Sequence, residues 1–411
     1  MIKKIKIEGK FNDPLDIDLD TPIDGGGEGE IYSLPVTDYL LKLYKENILN
    51  ESREAKVLAL CDRYETFKFL IGNEQYALPE KPAIEVNNRE IAGFVMRNMG
   101  KLPNIVDLSF DENDFKDKNG FKLNDNTALE LIYQMYKNLL RLHESNIILG
   151  DLNPTNILYN PEKKCPVFID IDSAQLGKYP CIAATEDYLD PVIEESGKNT
   201  DGWYEYSRSS DCFSLAVICY ELFVGGRPYE FRTKPPEEAS IRKIRRICII
   251  NFLEDSDFGI KNNIELVKQG PVKIWIERLK LLENKDPLLY KYFFDTFVFD
   301  KRVNLLTQLP KNDKRNPGYT LFNKNKGQVK TIKDILMENF REKMQDFKDE
   351  HHSYKVIDSL NWNKLLKQYE SRYQYTFNLV EMPKDSKAFM MFVDNLGFDY
   401  STLIKTGNLN E

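Results

Sequence analysis

A change of hydrophobic period between residues 98 and 127 constrains this chain more than any other feature. Up to residue 98 the apolar residues come in short alternating runs broken by Asn, Asp, Gly and Pro, which is strand patterning, with one helical stretch at 49–61. From about residue 127 they recur at steps of three and four: Leu129, Leu131, Ile132, Met135, Tyr136, Leu139, Leu140 and Leu142. A second buried helix is expected over Asp211–Val224, with Gly225-Gly226 as its stop. Strands first and helices second predict an α+β chain of two lobes with a cleft between them.

A length of 411 residues allows two or three packed units, and 42% hydrophobic with 30% charged residues is the balance of a water-soluble protein. The longest nearly apolar run, Phe213–Val224, falls short of the roughly twenty residues a membrane helix needs. Met1-Ile-Lys-Lys-Ile-Lys-Ile-Glu8 alternates like a strand and lacks the apolar core of a signal peptide, so no membrane partner and a cytoplasmic location are expected. The six cysteines contain no C-x-x-C pair and read as reduced, mostly buried thiols. Three histidines argue against a His-rich metal centre, and a formal charge of −8 argues against general nucleic-acid binding.

Toward the C-terminus the pattern loosens. Residues 309–330 are polar and aperiodic, with six basic residues against Asp313, and read as a linker or long loop of net charge +5. Beyond them Thr331 is an N-cap candidate for a helix with the stripe Ile332, Ile335, Leu336, Phe340, Met344 and Phe347. That region, 331–411, has no cluster of acid, base or nucleophile and could carry a partner protein. Its aromatic residues, such as Trp362, Tyr369 and Tyr373, read as core, and His351-His352 has no cysteine nearby to complete a metal site. Ile241–Ile249, basic on one side and apolar on the other, reads as a solvated helix face, with docking to an acidic partner or membrane surface as the alternative.

The residues that carry chemistry lie earlier. Asp24-Gly-Gly-Gly-Glu-Gly-Glu-Ile-Tyr32 is glycine-rich enough for backbone N–H groups to approach phosphate oxygens, although a flexible hairpin turn has the same composition. Tyr39-Leu-Leu-Lys42 is an apolar strand with one lysine, either solvated or matched to an anion. His143-Glu-Ser-Asn-Ile-Ile-Leu-Gly-Asp-Leu-Asn-Pro-Thr-Asn156 follows the long helix and sets Asp151 and Asn156 five residues apart in a loop. A carboxylate there can accept a proton from an attacking hydroxyl, and an amide oxygen can ligate a metal. Val167-Phe-Ile-Asp-Ile-Asp-Ser173 is an apolar strand that ends in two carboxylates.

Glycine loop, strand lysine, catalytic loop and metal aspartate occur in the order found in protein kinases, which this chain resembles over about residues 20–305. More finely, it is similar to bacterial kinases that carry a helix-hairpin-helix region or accompany tellurite-resistance-type operons. The runs that carry this likeness are Ala77-Leu-Pro-Glu80, Gly93-Phe-Val-Met96, Gly150-Asp-Leu-Asn-Pro-Thr-Asn156, Ile169-Asp-Ile-Asp-Ser173, Tyr179–Pro191 and Ser210–Ala216. The resemblance implies a bilobal protein-kinase fold with a β-rich lobe at 1–95 and a hinge and helical lobe at 96–308, followed by the linker and an appended helical region.

It further implies an enzyme that uses ATP and Mg2+ to phosphorylate a Ser or Thr hydroxyl of a protein substrate. The alternatives are a nucleotide-binding pseudokinase scaffold and a small-molecule kinase. By resemblance, Gly26, Gly27 and Gly29 cover the phosphates, and Lys42 binds them and pairs with Glu54, or failing that Glu51. Met96 to Met99 form the hinge beside the adenine. Asp151 is the catalytic base, Asn156 and Asp170 hold the metal with Asp172 auxiliary, and Asp211 accepts backbone N–H groups of the catalytic loop. The chain departs from the pattern in three places. Gly150 stands where an arginine usually clamps a phosphorylated activation segment, here containing Thr185. Asn153 replaces a lysine, and Val192 replaces a glutamate that pairs with an arginine, so that either Glu194 takes its role or the pair is absent.

Overall fold

The computed structural model describes residues 2–7, 9–71, 74–108, 123–268, 270–310, 313 and 315. These divide into two compact units, one of residues 1–99 with 144–146 and one of 100–143 and 147–316. The expected linker is described only at its start, and the expected helix from Thr331, the paired histidines and the aromatic tail lie outside the described residues.

In the first unit seven antiparallel strands form one sheet: β1 (Ile2–Lys6), β2 (Leu15–Asp18), β3 (Asp24–Gly25), β4 (Gly29–Ser33), β5 (Tyr39–Tyr44), β6 (Pro79–Glu85) and β7 (Ile91–Arg97). Their spatial order is β2-β1-β6-β7-β5-β4-β3. Two helices, α1 (Glu51–Asp62) and α2 (Tyr64–Ile71), interrupt it between β5 and β6. Alternation along β5 sends Leu41 and Leu43 into a cluster with Ile5, Ile17, Ala92 and Val95. Tyr44, on the other face, packs with Val57 of α1 and with Phe94. Lys42 shares Tyr44's face. The Asn50 side chain caps α1 by accepting from Arg53 N, and Glu51 and Glu54 place negative charge at its positive end.

The second unit is helical. Its long helices are α3 (Asp125–Glu144), α5 (Arg208–Val224), α9 (Pro271–Lys285) and α10 (Pro287–Phe299); shorter ones are α4 (Pro191–Ser196), α6 (Ala239–Ile244), α7 (Ile249–Glu254) and α8 (Phe258–Lys261). Helix α5 is apolar all round, and nearly every residue from Ser210 to Val224 is buried, as expected of a central helix. A Ser207–Ser210 capping box opens it, and Gly225, at φ 94°, closes it in the left-handed conformation. Tyr220 meets Phe293 and Phe297 of α10 edge-on at 5.6 Å in both cases. Two short ribbons flank the loop after α3, β8 (Ile147–Ile148) with β11 (Gln175–Leu176) and β9 (Ile157–Asn160) with β10 (Cys165–Phe168), and a third, β12 (Thr233–Lys234) with β13 (Glu265–Leu266), lies later in the unit.

The basic run after Ser240 is a correction to its sequence reading. Helix α6 ends at Ile244, and Arg246 turns the chain at φ 58° before α7 begins. Arg242 and Lys243 point inward: Arg242 donates to the Tyr229 and Glu237 carbonyls, and Lys243 pairs with Glu194 at 2.6 Å and donates to the Glu186 carbonyl. Ile241, Ile244 and Arg245 are exposed, while Ile247 and Ile249 are buried. Local carbonyls that needed donors drew these two basic side chains inward, against the solvated face that hydrophobicity predicted for them. At the start of the expected linker, Arg315 lies 4.3 Å from the Tyr133 ring centroid and pairs with Asp286, the N-cap of α10.

Candidate active site

In the helical unit the loop between α3 and β9 is fixed from below by Asp211. This fully buried carboxylate accepts from Leu149 N at 2.7 Å and Gly150 N at 2.8 Å, and the His143 imidazole Nε2 lies 2.9 Å away. The structural role expected of Asp211 is thus present, with His143 as an unforeseen third partner. Charge-assisted bonds of this kind are about twice as strong as neutral ones.

Held in this way, Asp151 presents its carboxylate beside Thr185, whose hydroxyl donates to Oδ1 at 2.7 Å. The Asn156 amide nitrogen donates to the Asp151 carbonyl at 3.1 Å. Its oxygen has no protein donor among the described residues. Asp170 follows β10 in the left-handed conformation (φ 55°), one of the few residue types that tolerate it, and begins a tight helical turn over Ile171–Ser173. Asp151, Asn156 and Asp170 line one pocket with Leu149, Leu152, Phe168, Ile169 and Ser173. A carboxylate and an amide oxygen are hard donors of the kind Mg2+ takes, and Mg2+ commonly completes its shell with water and substrate phosphate. Among the described residues no three His, Cys, Asp or Glu side chains form a cluster able to hold a metal alone.

Asp172 does not join this set. The turn that starts at Asp170 ends the extended chain on which two alternate residues would share a face, and Asp172 is 2% exposed and off the pocket lining. Its expected auxiliary metal role has no support in this placement.

The three departures from the kinase pattern each have a local explanation. Gly150 has φ +73°, and a Cβ there would lie 2.8 Å from the Cys181 Sγ and 2.9 Å from the Tyr206 ring. Cys181, Leu189 and Tyr206 form a buried apolar cluster where an arginine's stem would run. Burial pushes the Tyr206 phenol well above its ordinary range, and it donates to the Ala183 carbonyl at 2.7 Å. Asn153 aims its amide nitrogen at the Asp151 carbonyl and Thr185 Oγ1, both at 3.3 Å, and its oxygen accepts from Thr155 N. A neutral donor thus stands where a cation was expected. Asp190, rather than Glu194, makes the arginine pair: Arg302 lies 2.6 Å away, both side chains nearly inaccessible. Burial pushes the Asp190 carboxyl up, and Arg302 opposes that shift.

The sheet unit holds the remaining expected residues. Gly26 and Gly27 sit at the open tip between β3 and β4, where an added Cβ would meet nothing within 4 Å. Gly29 is different: a Cβ there would lie 2.5 Å from the Leu43 carbonyl oxygen, so it serves close strand packing. Gly93 does the same on the other side of β5, where a Cβ would fall 1.9 Å from the Lys42 carbonyl oxygen. Lys42 is not an exposed lysine. It is 4% exposed, with Nζ 5.8 Å from the ring centroids of both Tyr44 and Phe94. Glu54 is half-buried and forms no ion pair among the described residues, and Glu51 is exposed, so the expected Lys42–Glu54 pair is not made. The inward face of α1 carries Arg53, Lys56, Val57 and Leu60 instead. Met96 is half-buried against the Phe94 cluster, and Met99, also half-buried, follows β7.

Thr185, Cys181, Tyr206, Gly93, His143 and Arg302 are among the site-supporting residues to which sequence reasoning did not assign these roles. Thr185 lies 34 positions from its partner Asp151, and no periodicity connects them. The glycine signal at position 150 was visible, but the residues that require it were not.

Residues 100–287 match the family model described as protein kinase domain. Among curated proteins the chain is similar to Aurora kinase of Eremothecium gossypii, at 31% identity over 38% of this chain and 44% of the relative. It is also similar to Aurora kinase of Saccharomyces cerevisiae, at 33% identity over 39% and 45% respectively. Serine/threonine-protein kinase nekl-2 of Caenorhabditis elegans is 28% identical over 47% of this chain and 51% of that protein. The chain thus spans about half the length of these relatives or less. The antiparallel sheet unit and the helical unit are those of an α+β protein-kinase fold.

Proposed function

We propose that this chain is an ATP- and Mg2+-dependent protein kinase that phosphorylates Ser or Thr hydroxyls. The observation that carries the proposal is that Asp151, Asn156 and Asp170 line one and the same pocket, where Asp151 already accepts a hydrogen bond from a threonine hydroxyl. An acceptor hydroxyl in Thr185's place would give its proton to Asp151 as its oxygen attacks the γ-phosphate and ADP leaves. Asp170 and Asn156 would hold Mg2+, which supplies charge neutralisation on the phosphate oxygens. In the sheet unit, Lys42 and the glycine loop are assigned to the phosphates, and Met96 to Met99 to the adenine.

The finer likeness to bacterial kinases of the helix-hairpin-helix or tellurite-operon type is not supported by the relatives named above, which are Aurora kinases and nekl-2. A cytoplasmic location belongs to the proposal, and six free cysteines, five of them buried, agree with a reducing compartment.

Labelled ATP offered with generic proteins beside a panel of amino alcohols and sugars tests the activity. Label is expected on protein Ser and Thr. Label on a small alcohol alone would mark a small-molecule kinase, and nucleotide binding without transfer a pseudokinase.

Activation-segment phosphorylation is not needed in this reading. Gly150 has no side chain to reach a phosphate, and a phosphate on Thr185 would set about two negative charges against the Asp151 carboxylate. Enzyme stripped by a phosphatase, and checked by mass, should keep its rate within about threefold. A hundredfold drop would contradict this reading.

A further inference from the structure

The turn between β3 and β4 has little to hold it in place. Glu28 is its one side chain between Gly25 and Gly29, and Gly26 and Gly27 have open space where a Cβ would be. Backbone bonds close the turn on itself, from Gly26 N to the Gly29 carbonyl at 2.9 Å, and anchor it to the end of β5, from Lys45 N to the Glu28 carbonyl at 3.0 Å. The Lys45 ammonium caps the Gly26 carbonyl at 2.7 Å. The Glu28 carboxylate reaches in another direction, to α1. It accepts from both terminal nitrogens of Arg53, at 3.1 and 2.5 Å.

Arg53 is well placed to hold a loop. Its side chain is 5% exposed, its backbone N–H is fixed by the Asn50 side chain at 2.9 Å, and its guanidinium lies 5.3 Å from the Tyr44 ring centroid. A planar guanidinium bonded through two nitrogens fixes orientation as well as distance, and burial reduces screening by salt. The contact joins the first turn of the helix to the glycine loop within one compact unit.

We infer that the Arg53–Glu28 pair is a tie that sets the position of the glycine loop over the nucleotide, which makes Arg53 a positioning residue for ATP binding. This deepens the kinase reading and rests on it. The tie orders the loop before nucleotide arrives, so breaking it weakens ATP binding while leaving the groups at Asp151 untouched.

The test is a titration of the full chain with a fluorescent ATP analogue, together with steady-state kinetics, for Glu28→Gln, Arg53→Met, Arg53→Lys and the Glu28→Gln/Arg53→Met double variant. Each of Glu28→Gln and Arg53→Met should raise Kd and KM for ATP about tenfold and leave kcat within about threefold. The double variant should bind no more weakly than the weaker single one, because both remove the same contact. Arg53→Lys, which keeps the charge but loses the fork, should fall in between. A residue that merely supported folding would lower the thermal midpoint without this split of KM from kcat. Single variants within twofold of the unaltered protein, or a double variant in which the two losses multiply, would overturn the tie. If the unaltered chain itself neither binds the analogue nor transfers phosphate, the kinase reading fails and the tie falls with it.

Discussion

Asp170→Asn should lower phosphoryl transfer about a thousandfold, and excess Mg2+ should not restore it. The magnitude follows from what a bound divalent cation does for a transferring phosphoryl group, about 4 kcal/mol of barrier at 1.36 kcal/mol per decade. Among the carboxylates of the apolar strand's end, Asp170 alone lines the pocket with Asn156 and Asp151. An amide in its place keeps the shape but loses the charge, and two neutral oxygens are poor competition for water around Mg2+. Asp172→Asn makes the contrast. At a 2% exposed carboxylate the change should lower the thermal midpoint, by the equivalent of about 1–3 kcal/mol, and leave the Mg2+ dependence of the rate in place. Titrating Mg2+ against rate for the two variants, with thermal midpoints alongside, separates metal ligand from buried support. An Asp172→Asn enzyme that is inactive while still folded, beside an Asp170→Asn enzyme rescued by metal, would exchange their roles.

The order of elements and the identity of the pocket residues were legible in the sequence because both are local. The helix at Asp125–Glu144 follows from a three-and-four step, and Asp151 and Asn156 come together because five residues of one loop place them there. Whether Asp170 and Asp172 share a face depends on whether the chain stays extended between them. The left-handed backbone at Asp170 ends the extended run.

What was not legible depended on packing between distant segments. Gly150 reads as a missing arginine until Cys181 and Tyr206 are seen filling the space beside it. The glutamate missing at position 192 is answered by Asp190 with Arg302, more than a hundred residues away. The partner expected for Lys42 was read from sequence order, but the inward face of α1 is chosen by burial, which turned Arg53 rather than Glu54 toward the glycine loop. At α6 the hydrophobic pattern misplaced Arg242 and Lys243, because carbonyls of Tyr229, Glu237 and Glu186 drew those two side chains inward and left Ile241 and Ile244 outside.

The central claim is that Asp151 is the base of a phosphoryl-transfer site, and Asp151→Asn tests it most directly. An amide of the same size can still sit in the pocket and keep the carbonyl of residue 151 as acceptor for Asn156, but it cannot take a proton. A positioned general base contributes about a hundredfold to ten-thousandfold. The fold should tolerate the change, because Asp211 holds the loop through Leu149 and Gly150, and an amide oxygen at position 151 can still accept from Thr185. The measurement is the rate of label transfer from γ-labelled ATP to protein by the unaltered chain and by Asp151→Asn, with the thermal midpoint and the ATP affinity of each. The account predicts transfer by the unaltered chain and at least a hundredfold loss in the variant, with affinity and midpoint nearly unchanged. Transfer by Asp151→Asn within a few fold of the unaltered chain would contradict it.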